Sequence, residues 1–194
     1  VPIYPSIESV AASIQAAATG RATTLVAIDG GGGAGKTTLA SKLCKHLGNC
    51  QIVAMDDFLM PKLVRGRLDN TSDTIGAYSD STRLIDQVLQ PISEGRDTTY
   101  QVYDWFADAL GSWKNLKAQG IVIVEGVYAM RKNLLRFYNF KIWVETDKQT
   151  RLTRGLARDG QEAESFWVDI WMPEEDRYVE TENPMIAADI LIKG

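Results

Sequence analysis

Cysteine and histidine are scarce: Cys44, Cys50 and His46 are the whole supply in 194 residues. That stock cannot make a four-ligand zinc cluster without carboxylates, and a chain of this length buries enough core to need no disulfide or zinc staple. Both thiols are expected to be reduced, Cys44 packing as a small apolar group, and His46 is read as structural. Long apolar runs are missing too. Ile121–Val124 is followed at once by Glu125, far short of the ~18 residues that a membrane span needs. There is no basic excess: Lys plus Arg number 21 against 25 for Asp plus Glu, a net charge of −4. Such a chain, with no basic run, is poorly suited to wrapping nucleic acid or docking on anionic lipid. Residues 1–19 lack the basic start and long apolar stretch of a secretion signal, so the expected location is cytoplasmic. No repeat, low-complexity tract or Pro/Gly/Ser-rich linker divides the chain, so residues 1–194 are expected to form a single domain. The 45% hydrophobic and 24% charged residues exclude disordered and collagen-like classes.

What remains is an alternation of short apolar runs with helix-like stretches. Thr23–Ile28, Gln51–Met55, Ile121–Val124, Phe140–Val144 and Ile190–Ile192 read as strands. Between them, Lys36–Leu47 carries Leu39, Leu43 and Leu47 on one helical face, and Ser81–Leu89 reads as a helix with Pro91 just beyond its end. Lys148–Arg158 and Phe166–Thr181 are also helix-like, with Pro173 starting or kinking a helix. Nearly continuous apolar strands separated by helices predict a parallel sheet covered on both faces, a three-layer α/β domain.

The strongest signal is Gly30-Gly31-Gly32-Gly33-Ala34-Gly35-Lys36-Thr37-Thr38, which contains G-x-x-x-x-G-K-[ST]. Phosphate oxygens need donors converging from several directions, and backbone N–H groups supply them only where the chain curls tightly. Glycine permits that curl. The following helix aims its free N–H groups and dipole at the same anion. Lys36 then supplies a point charge for the β- and γ-phosphates, and the Thr37 hydroxyl a ligand for Mg²⁺. The apolar strand before the loop and the amphipathic helix after it argue against a chance Gly-rich turn.

Carboxylates follow two strands. Glu125 closes Ile121–Val124, where it can orient Mg²⁺. Asp56 and Asp57 close the second strand and open onto the same crevice. A kinase needs a carboxylate there to accept the proton of an acceptor hydroxyl; the alternative is a solvated turn pair. Trp167 and Trp171 are read as packing surface, and Arg65 and Arg67 as a surface loop. The N-K-x-D string of guanine-nucleotide switches and the L-S-G-G-Q string of transporter ATPases are both absent.

These residues resemble the uridine kinase and phosphoribulokinase-like family of P-loop kinases. The matching pieces are GGGGAGKTT (30–38), MDDF (55–58), VYDW (102–105), IVIVEGVYA (121–129), ETDKQTRLTRGLARD (145–159) and PMIAADILI (184–192), in the family's order. The resemblance implies a P-loop fold with a five-stranded parallel sheet of order 2-3-1-4-5. A helical segment over residues 1–20 would precede it, and a small helical lid would lie at about 148–165. It implies transfer of the ATP γ-phosphate to a hydroxyl, with Mg²⁺. On it, Asp56 is the base, and Thr37, Asp56 and Glu125 serve the metal. Lys36 and Arg154 act in catalysis, and Arg151, Arg154 and Arg158 close over the phosphates. Tyr103 falls where uridine kinases contact the acceptor; Asp57, Trp105 and Asp108 join it, as does Asp80, for which a helix N-cap is an equal reading. The chain departs from the family at Asp108 and Leu110, which hold the positions of the base-gripping His and Arg of uridine kinases, and at Thr74–Asp80 (TIGAYSD), where Asp-His-Pro-Asp is missing. A uracil pocket without those donors discriminates poorly. The acceptor class stays open among nucleosides, sugars, sugar acids and related alcohols, and a homo-oligomer is left open. The other functional reading is a P-loop ATPase or switch without a small-molecule acceptor.

Overall fold

In the computed structural model, residues 5–62, 75, 76 and 78–194 are described. Five strands form one parallel sheet: β1 (Thr23–Asp29), β2 (Cys50–Ala54), β5 (Gly120–Glu125), β6 (Phe140–Glu145) and β7 (Ile190–Lys193). Its order is β2-β5-β1-β6-β7, which reads 2-3-1-4-5 when the parallel strands alone are counted along the chain. β3 (Thr98–Asp104) and β4 (Ala109–Leu116) form a separate antiparallel hairpin. The sequence reading has no strand there, because few apolar residues mark it: only Tyr100, Tyr103 and Leu116 of these strands are buried.

Alternation along the strands separates two cores. Leu25, Ala27, Val122 and Val124 face one way, towards Leu84, Val88, Leu89 and Ile92 of helix α3 (residues 81–93) and Tyr100 and Leu116 of the hairpin. Val26, Ile28, Ile121, Ile123 and Ile142 face the other way, onto helices α1 (Ile7–Ala18) and α2 (Lys36–Leu47). Each residue on a pleated strand points opposite to its neighbour, so near-continuous apolar runs fill both faces at once. Among the described residues, no helix is long and apolar enough to cross a membrane.

Two expectations need correction. Helix α3 does not stop before Pro91 but continues to Ser93, through a π-type turn at Ile85–Leu89. Pro91 has no N–H for the Gln87 carbonyl, and the Thr98 hydroxyl donates to that carbonyl instead, at 2.9 Å. The same device recurs in helix α5 (residues 164–182), where a π-type turn at Trp167–Trp171 lets the helix pass Pro173. Cys44 and Cys50 are not free thiols. The chain reverses through Gly48 and Asn49, bringing the end of α2 onto the start of β2, and the two residues form a disulfide with a Cα–Cα distance of 5.1 Å. Helix α4 spans Lys148–Asp159, α6 (Pro184–Ala187) leads into β7, and His46 is exposed on α2. Arg65, Arg67, Thr74 and Ala77 lie outside the described residues.

Candidate active site

The phosphate loop leaves β1 at Asp29, whose carboxylate is wholly buried. It accepts from the Gly30 N–H (2.6 Å), the Met130 N–H (2.8 Å) and the Tyr178 hydroxyl (2.8 Å). Burial outweighs these donors and the nearby Lys36, and pushes the Asp29 carboxyl up to about 6. The loop then turns tightly. Gly33 has φ +74°, and a Cβ there would sit 2.5 Å from the Arg151 carbonyl oxygen, so both conformation and space demand glycine. Gly35, at φ 97°, is the N-cap of α2 and offers no side chain to the helix's first amides. These amides are left for an anion. Lys36 is buried, and its ammonium donates to the carbonyls of Gly30 and Gly31 at 2.8 Å each. Burial lowers its pKa, while Asp29, Glu175, Glu125 and Asp56 act to raise it.

Glu125 ends β5, the strand lying between β1 and β2, and is in register with Ile28 and Ala54. The Thr37 hydroxyl donates to Glu125 Oε1 at 3.1 Å. Asp56 and Asp57 sit on the 3₁₀ turn Met55–Phe58 that follows β2. Gly126 lies so close to Met55 that a Cβ would be 2.4 Å from the Met55 Cβ, which draws the two acid-bearing strand ends together. Burial raises the Glu125 carboxyl, against Lys36 and the Thr37 bond. Asp56 keeps contact with solvent at the mouth of the crevice, yet desolvation by the groups packed around it raises its carboxyl as well, opposed by Lys36 and Arg158. No cluster of three or more His, Cys, Asp or Glu residues suited to a metal occurs among the described residues. Mg²⁺ needs none: one or two carboxylates, a hydroxyl and substrate phosphates suffice. Thr37, Glu125 and Asp56 fit that donor set, since a cation would relieve two desolvated acids that repel each other.

The other predicted site residues fall into two groups. Asp57 Oδ2 accepts from the Lys114 ammonium (2.9 Å) and the Tyr100 hydroxyl (3.3 Å), which ties the acidic turn to the hairpin. The Tyr103 hydroxyl donates to Asp108 Oδ1 at 2.5 Å, and Asp108 also accepts from the Lys62 N–H at 3.0 Å. Trp105 stands edge-on to Tyr103, with centroids 5.3 Å apart, and is 61% exposed. Asp80 caps α3 by accepting from the Arg83 N–H at 2.9 Å, and pairs with the Arg83 side chain at 3.3 Å.

Of the three arginines expected to close over the phosphates, Arg151 is instead buried and paired with Glu175 against the loop, while Arg154 and Arg158 are exposed on α4. Arg158 is held by both oxygens of Asp159, whose Oδ2 also accepts from the Trp167 indole at 3.0 Å. Trp167 is buried as packing and roofs Gly32, whose added Cβ would meet its ring at 2.9 Å.

Sequence reasoning missed Arg83, Tyr100, Lys114, Asp159, Glu175 and Tyr178, and assigned no role to Asp29. Arg83 is legible in hindsight, because an arginine three residues after a capping aspartate faces it on a helix. Glu175, inside the acidic run Pro173-Glu174-Glu175-Asp176, carries no signal that sets it apart.

A phosphate loop on a three-layer sheet of this order, with acids closing the two neighbouring strands, defines a P-loop kinase of small molecules. Residues 25–181 match the phosphoribulokinase / uridine kinase family, and the chain belongs to it. A uridine kinase of Staphylococcus aureus is 28% identical, the alignment covering 89% of this chain and 88% of that one. The structure of a possible uridine kinase from Bacillus stearothermophilus superposes with a TM-score of 0.74 at 23% identity, covering 96% of each chain.

Proposed function

We propose that the protein transfers the γ-phosphate of ATP, with Mg²⁺, to a hydroxyl of a nucleoside or sugar-like acceptor. One observation carries the reading: Lys36, Thr37, Glu125 and Asp56 meet in a single crevice at the carboxyl ends of β1, β5 and β2. The uncapped start of α2 and Lys36 receive the phosphate chain. Thr37, Glu125 and Asp56 would hold Mg²⁺, which supplies charge neutralisation at the phosphate oxygens when bound. Asp56 takes the proton of the acceptor hydroxyl. Its raised pKa makes it a stronger base than an ordinary carboxylate, and its solvent contact leaves it within an acceptor's reach. Arg154 and Arg158 lie on the exposed face of α4, from which guanidinium forks can reach the transferring group.

The acceptor lies against the hairpin. Tyr103 and Trp105 offer an aromatic wall, and the Asp57–Lys114 pair a polar floor. Asp108 is engaged by Tyr103 and Lys62, and Asp80 by Arg83, so neither replaces the donors expected of a uracil pocket. Release of ADP is therefore to be followed against a panel of nucleosides, sugars and sugar acids. At least one acceptor should accelerate it, and Asp56→Asn should retain ATP binding, carried by the loop and Lys36, while losing at least ~100-fold in transfer. Hydrolysis indifferent to every acceptor would replace this reading with the ATPase or switch.

A further inference from the structure

Helix α5 grips the phosphate loop at two points one turn apart. At the stem, the Tyr178 hydroxyl donates to Asp29 Oδ2 at 2.8 Å. Three residues earlier, Glu175 Oε1 accepts the Gly32 N–H at 2.9 Å, and Glu175 Oε2 holds Arg151 Nη1 at 2.5 Å. All three side chains are buried: Glu175 is 7% exposed, Arg151 6% and Tyr178 1%. A Cβ on Gly31 would lie 1.7 Å from Arg151 Nη1, so the guanidinium rests directly on the loop backbone. Beside these contacts lies a cavity of ≈ 140 Å³ bordered by Gly30, Gly31, Arg151, Glu175 and Tyr178.

The bond from Glu175 reaches further than Gly32. The Gly32 N–H and the Gly31 carbonyl belong to one planar trans peptide, so they point in opposite directions. The Gly31 carbonyl is one of the two acceptors of the Lys36 ammonium. Fixing the N–H on one side of the plane therefore fixes where the ammonium is held on the other.

We propose that Glu175 is a positioning residue for the nucleotide. It sets the Gly31–Gly32 peptide, and through it Lys36, and it keeps Arg151 pressed on the loop as a fixed counter-charge. This rests on the nucleotide reading given above. Removing one partner of a buried ion pair strands the other charge, so the effect falls on the loop and not on solvent.

The test has two arms. In the nucleotide-free protein, amide hydrogen exchange is measured at Gly31–Gly33. In a second measurement, Mg²⁺-ATP affinity is read by calorimetry, with Tyr178→Phe as the variant that frees only the stem. Glu175→Ala should exchange faster at Gly32 and bind Mg²⁺-ATP about tenfold more weakly, the usual size for a lost charge-assisted bond. A merely structural role would lower the melting temperature while leaving the affinity of the folded protein unchanged. Wild-type exchange and affinity in Glu175→Ala would overturn the proposal. If that variant does not fold, Glu175→Gln, which matches it in size and keeps an acceptor for Gly32, should still bind several-fold more weakly through loss of the Arg151 pair; unchanged affinity there overturns it equally. A wild-type protein that binds no Mg²⁺-ATP would sink the nucleotide reading, while the exchange arm would still test the grip on the loop.

Discussion

Asp29 is a carboxyl group with no solvent and three donors, raised to about 6 by its burial. An acid whose folded pKa lies above its unfolded value of 3.8 binds more protons in the folded state between those two values. Its contribution to stability is therefore greatest near pH 4 and declines as pH rises to about 6. At ~1.4 kcal/mol per unit, the loss is on the order of 2–3 kcal/mol. Asp29→Asn removes the titration, so melting curves of the two forms between pH 4 and 7 should show the wild type losing ground as pH rises. A constant gap would mean that Asp29 is not desolvated. The phosphate-loop residues from Gly30 to Thr38 are legible from sequence because the glycines recur where the curled backbone needs them, at Gly30, Gly33 and Gly35, just ahead of Lys36 and Thr37. Asp29, one position earlier, is not, since a strand-end acid reads the same whether it is solvated or enclosed.

Arg83 joins three elements. Its guanidinium donates to the carbonyls of Asp57 and Leu59 on the acidic turn and of Gln101 on the hairpin, and its Nε pairs with Asp80 at the start of α3. It also lies 4.8 Å from the centroid of the Phe58 ring. Arg83→Met should destabilise the fold by about 3 kcal/mol, because several carbonyls lose their donor at once. Urea unfolding measures that loss. A loss below ~0.5 kcal/mol would show that the junction is held by packing alone. Elements were legible where apolar period and length agree, as in α2, which spans Lys36–Leu47 as expected. The hairpin was not, because its strands pair only with each other and few of their residues are apolar and buried. Pro91 misled because a π-type turn absorbs the missing N–H, so the helix continues where a local rule ends it; at Pro173 the same kind of turn is the local distortion that was expected.

At the scale of the whole chain, the loop is steadied by residues far from it in sequence: Arg151 and Trp167 beside it, Glu175 and Tyr178 across from it. Mg²⁺-ATP should therefore stabilise more than the loop. At a hundred times the dissociation constant the gain is about 2.7 kcal/mol. It should appear as a raised melting temperature and as slower amide exchange across 148–159 and 164–182 as well as 30–38. Slowing confined to 30–38 would show that α4 and α5 do not respond to the nucleotide. The order of the parallel strands followed from the family resemblance, and the site acids from their places at strand ends. The long-range contacts had no local trace, since a glutamate in an acidic run looks solvated until the fold buries it.

The hairpin's strands bond to each other and not to the parallel sheet. On the function proposed above, the part of the chain that selects what receives the phosphoryl group is thus outside the sheet's own bonding, held to the rest by Tyr100 and Leu116 in the core, by Arg83 and by the Asp57–Lys114 pair. Replacements along its outer edge leave the donor half untouched, so a lineage built on this plan can exchange one alcohol for another while its machinery for handling triphosphate is inherited unaltered.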